Sequence, residues 1–176
     1  VSDFADLARR ALRDGALNAD DRSRVDRSTE QPSRVDAGTV EALGRVLAAY
    51  RRLDDVLSPE SLIPATLAHV EDVTRMLKGA RGPYREQLTA VASEFAQFGG
   101  WMLAQVRRDD EAVALLTQAL ELADAIDDGT LAAQALNFRG YLARRQGRQQ
   151  GVARWYAAAA HTPGAVWRRS GRPTTR

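Results

Sequence analysis

Two stretches of the chain repeat one skeleton of small and apolar residues at a fixed spacing. Gly100, Leu103, Ala112, Leu116 and Ala119 are answered forty residues later by Gly140, Ala143, Val152, Tyr156 and Ala159. The order is glycine, an apolar side chain, a small residue, a large one and a small one. That order suits two helices joined by a turn: the small residues let the pair approach, and the large residue fills the gap between successive pairs. One such unit cannot bury its apolar face alone, so the repeat requires its copies to stack. An Ala- and Leu-rich chain can produce such matches by chance, but five sites at one offset favour repetition.

The remaining punctuation agrees. Residues 37–57 carry Val40, Leu43, Val46, Leu47, Tyr50, Leu53 and Leu57 on one helical face. Ser58-Pro59 restarts a helix whose stripe is Leu62, Ile63, Leu67, Val70, Val73 and Leu77, with Pro64 near its first turn. Gly79 to Pro83 breaks the chain, and a third helix runs from Pro83 to about residue 107. Asp109-Asp110-Glu111 opens a fourth, where negative charge suits the helix dipole. Asp127-Asp128-Gly129-Thr130 is a turn and a cap for a fifth helix over 131–146. The sixth starts near Gln149 and stops before Pro163-Gly164. No alternating strand pattern occurs. The expected fold is all-α: a tetratricopeptide-like, right-handed stack of three helical hairpins (an α-solenoid), its helices longer than the usual period of about 34 residues implies. It occupies residues 35–162. Residues 1–34 read as a short amphipathic helix, with Phe4, Leu7 and Leu12, followed by a mobile charged linker, and 163–176 as a flexible basic tail.

Composition narrows the chemistry. The 176 residues include no cysteine and two histidines, so thiolate sites and histidine-rich metal centres have no ligands to build from. His69 and His161 read as structural, and Asp54-Asp55, Glu71-Asp72 and Asp127-Asp128 as solvated surface. Lys78 heads no phosphate loop. Neither an enzyme nor a cofactor or metal protein is expected. No apolar run spans a bilayer, which places the expected chain in the cytoplasm, without membrane partners. Net charge of +2 conceals segregation: residues 129–176 hold nine arginines and no acid, and the acids exceed the bases within 36–128. The arginine-rich end offers an alternative reading, contact with nucleic-acid phosphates, with Trp155 and Trp167 for stacking. The two charged parts also suit pairing with each other, within a chain or between two copies.

Off the core stripe of the third helix, Glu94, Gln97, Trp101 and Gln105 share one face. Forty residues on stand Gln134, Asn137, Tyr141 and Arg145, with Arg144 alongside. Amides satisfy the donors and acceptors of a peptide backbone, an aromatic gives rigid apolar contact, and arginine pairs with carboxylate or phosphate. These nine residues are the candidate groove for a peptide or small anionic ligand.

The stretches Val35 to Leu43, Ala80-Arg81-Gly82-Pro83, Phe95 to Trp101 and Ala135 to Ala143 resemble the C-terminal tetratricopeptide-like region of actinobacterial helix-turn-helix transcriptional regulators of the Xre type. The resemblance covers about residues 35–164. It implies a sensor and dimerisation region that controls a DNA-binding bundle. The 34 residues before Val35 do not hold such a bundle, so DNA binding does not carry over to this chain. A truncated regulator remnant is a further reading. The last helix, with Trp155 and Tyr156, lacks the polar cap that a terminal repeat needs, which favours a homodimer or a missing segment.

Overall fold

A computed structural model describes Arg13 and residues 15–161 of the chain. Among these residues there are seven helices and no strand: α1 (Ala19–Glu30), α2 (Ala37–Leu53), α3 (Pro59–Gly79), α4 (Arg85–Gln105), α5 (Asp109–Asp124), α6 (Gly129–Arg145) and α7 (Gln149–His161). A single 3-10 turn, Pro32–Arg34, links α1 to α2. The all-α expectation holds.

Side-chain caps start α1, α2 and α6, whereas the expected cap Ser58 makes no cap bond at the start of α3. Asp36 Oδ1 accepts the Thr39 N–H at 2.8 Å, and Asp128 Oδ1 accepts those of Thr130 and Leu131 at 3.0 and 2.9 Å. The ends of α4, α5 and α6 share one turn. Arg107, Asp127 and Gly147 all take positive φ, at 66°, 53° and 71°. In each case that residue and the next donate back across the last turn. Arg107 and Arg108 bond the carbonyls of Ala104 and Leu103, Asp127 and Asp128 those of Asp124 and Ala123, and Gly147 and Arg148 those of Arg144 and Ala143. One closing turn, recurring every twenty residues, gives the forty-residue period its backbone basis.

Consecutive helices from α3 to α7 pack against one another, and α4 also touches α2 and α6. The repeated glycines stand where helices come closest. A Cβ on Gly100 would lie 2.8 Å from Leu116 Cγ, and one on Gly140 would lie 2.8 Å from Tyr156 Cε1. Both contacts are pairs named by the repeat. The first hairpin differs, because the backbones of α2 and α3 stand apart. Tyr50 and His69 fill that space, the Tyr50 hydroxyl 3.0 Å from His69 Nδ1 and the His69 ring stacked on Phe95. The Ala65 carbonyl also lies 3.2 Å from Nδ1, so the ring nitrogen stands within hydrogen-bond distance of both groups, and the His69 tautomer sets which of them it serves.

Three expectations need correction. Residues 19–30 are a helix, not a mobile linker: α1 is capped by Asn18, buries Val25 and Ser28, and joins α2 through Ser28–Thr39, Arg24–Asp36 and Arg45–Asp21. Its attachment is mainly polar, so hydrophobic periodicity has little to register. The helical unit therefore begins well before Val35. The second helix stops at Leu53, leaving Val56 and Leu57 exposed in the loop. Pro64 sits inside α3, past its first turn. The proposed segments 3–13 and 163–176 lie, but for Arg13, outside the described residues.

Candidate functional site

The cleft lies between α4 and α6, with α2 at its edge. It measures about 510 Å³ and is lined by Arg51, Glu94, Gln97, Phe98, Trp101, Leu131, Gln134, Asn137 and Phe138. α4 and α6 pack against each other, which brings the matched faces together. Trp101 meets Phe138 with ring centroids 5.6 Å apart and Tyr141 edge-on at 5.4 Å. Trp101 is neither sealed in the core nor free: one side packs on the core and the other borders the cleft. At the α2 edge Arg51 reaches Glu94 at 2.9 Å, and half of the Arg51 side chain stays in solvent.

Five of the nine expected groove residues line this cleft: Glu94, Gln97, Trp101, Gln134 and Asn137. Gln97 does so as a structural clamp. It is buried, and its Nε2 donates to the Leu131 carbonyl at 3.1 Å, tying α4 to α6. The side-chain amides of Gln134 and Asn137 have no hydrogen-bond partner among the described residues, which leaves them available to a ligand. Tyr141 stands behind Trp101 and supports it. Gln105 lies past the cleft, its amide 3.5 Å from Asp54.

The two arginines do not face the cleft as binding groups. Arg145 pairs with Asp109 and bonds the Ala104 carbonyl, fastening the end of α6 to the α4–α5 turn. The Gln146 amide, bonded to Asp109 at 3.1 Å, holds that carboxyl below the ordinary carboxylate range; burial opposes this and the Arg145 charge assists it. Arg144 and Arg145 both approach the Tyr141 ring, 5.6 and 5.7 Å from its centroid.

Arg51, Phe98, Leu131 and Phe138 belong to the cleft and escaped the sequence reading. Phe98 and Phe138 had a usable signal: they too stand forty residues apart. Arg51 had none, because its helix lies outside the repeat.

Comparison with protein-family models, with curated proteins and with solved structures finds no match. Among the described residues no three His, Asp or Glu side chains gather as a metal site, and no helix is long and apolar enough to cross a membrane.

Proposed function

We propose that this chain is a non-catalytic interaction module whose α4–α6 cleft binds an extended peptide segment. The observation that carries the proposal is the convergence of the two repeat-related faces. Trp101 is braced by Phe138 and Tyr141, and the unpaired amides of Gln134 and Asn137 border the same space. A rigid indole supplies apolar contact at low entropic cost, and two side-chain amides each offer a donor and an acceptor to a peptide backbone. Glu94 brings a carboxylate to the lining, and Arg145 is engaged by Asp109. A bare anion therefore finds poorer terms here than a peptide, whose charge can be met by Arg51 and Glu94 together.

The repeated glycine contacts and recurring turns support reading α2 to α7 as a tetratricopeptide-like solenoid with this cleft on its concave side. In that reading the module serves as the sensor part of a regulator, as the resemblance to Xre-type proteins implies, and homodimerisation remains part of it.

The test is thermal unfolding with pools of short peptides, followed by Asn137→Ala. A binding pool raises the melting temperature of the parent, and Asn137→Ala removes that rise while the helical circular dichroism is unchanged. Absence of any stabilising pool, or a fold lost together with the response, refutes the cleft as a receptor.

A further inference from the structure

From Gly129 to His161 the chain carries five arginines and no carboxylate side chain. Arg145 has Asp109 as its partner. Two others, Arg139 on α6 and Arg154 on α7, meet at one ring: their guanidinium carbons lie 4.6 and 5.0 Å from the centroid of Trp155. Arg139 is held from behind, since Nη1 donates to the Val113 carbonyl at 3.2 Å and to the Thr117 hydroxyl on α5. Its fork is thus fixed by helix contacts and not by a counter-charge. Burial, with the charge of Arg154 second, holds the Arg139 guanidinium below its ordinary value. Neither arginine pairs with a carboxylate among the described residues. The locus is also separate from the peptide cleft. Arg139 is two residues from both Asn137 and Tyr141, about 200° around the helix, so it leaves α6 on the opposite side.

Two guanidiniums gathered on one ring without a counter-ion repel each other, and an oxyanion set against them offsets that cost. Guanidinium forks match the oxygens of phosphate, and the half-buried indole keeps each guanidinium carbon within 5.0 Å of its ring centroid. We propose that Arg139, Arg154 and Trp155 form a phosphate-binding locus on the α6–α7 hairpin. Its ligand is the phosphate of a small phosphorylated compound or of a nucleic-acid strand.

The experiment titrates the full chain at low salt with inorganic pyrophosphate, with a short single-stranded oligonucleotide, and with its duplex. Saturable binding is expected. Pyrophosphate binding that longer strands do not improve identifies a small compound, whereas affinity that rises with strand length and falls steeply with salt identifies a strand. Arg154→Gln, at an exposed position, should weaken binding about tenfold and, for a strand, lower the salt slope by about one. Ala157→Glu, which places a carboxylate one turn from Arg154, should do the same through pairing within the helix. Replacing Arg168, Arg169, Arg172 and Arg176 by Gln should leave pyrophosphate binding in place. The proposal is overturned by absence of binding to all three probes, by full affinity in both α7 variants, or by loss of pyrophosphate binding when only those four arginines are changed.

Discussion

The same substitution, glycine to alanine, should have opposite effects at two helical positions. Gly44 lies on α2 with nothing within 4 Å of an added Cβ. Gly44→Ala gains only helix propensity and reduced freedom of the unfolded chain, a stabilisation of about 0.4–1 kcal/mol. Gly100 gains the same intrinsic term, but its new methyl group would meet Leu116 Cγ at 2.8 Å, Leu116 Cδ2 at 3.0 Å and the Ala112 carbonyl oxygen at 3.3 Å. Leu116 and Ala112 are fully buried, and one of those atoms is backbone, so neither side yields cheaply. Overpacking of this kind costs about 1–3 kcal/mol. The two variants should therefore differ by that amount, which for a chain of this size is a gap of roughly 3–10 °C in melting temperature. Thermal and urea unfolding followed by circular dichroism measure it. A double-mutant cycle sharpens the test: Leu116→Ala alone costs about 2–5 kcal/mol, and Gly100→Ala should cost less in that background than in the parent. Equal stability of Gly44→Ala and Gly100→Ala would refute the close approach of α4 and α5, and with it the physical basis of the repeat.

Other perturbations separate binding from folding. Arg107→Gly and Asp127→Gly should each stabilise by about 0.5–1 kcal/mol in urea melts, because both positions already have the left-handed conformation that glycine adopts freely. Tyr50→Phe should cost about 1–2 kcal/mol, the loss of a buried hydrogen bond to His69, without altering the peptide response. Asp109 has a folded-state pKa below its unfolded one, so its stabilisation is full above the ordinary carboxylate range and is lost as pH falls through the depressed value. Asp109→Asn should lower stability at neutral pH and flatten the acid limb of the stability–pH curve.

Much of the helical plan is written locally. Asp36, Pro59 and Asp128 mark starts by chemistry that needs only a few neighbouring residues, and the glycine spacing marks where helices meet. What stayed illegible depends on distant partners. α1 has little apolar pattern because its hold on α2 comes from Ser28, Arg24 and Asp21, whose partners lie eleven or more residues away. Gln97 and Arg145 share the face expected of groove residues, yet Leu131 and Asp109 engage them across helices. A polar side chain at helical spacing looks the same in sequence whether it awaits a ligand or clamps a neighbour. Phe98 and Phe138 went unread although they share the forty-residue offset, because an aromatic side chain looks the same in sequence whether it fills the core or borders a cleft.

Proton NMR of the Trp101 indole is the most direct test of the binding surface, with Trp155 and Trp167 changed to Phe. The expected spectrum has Overhauser contacts from Trp101 to the rings of Phe138 and Tyr141. A stabilising peptide should shift the indole signal, and Asn137→Ala should abolish that shift. A Trp101 signal without those contacts, or one that stays fixed while a peptide binds, would contradict a shared receptor face on α4 and α6.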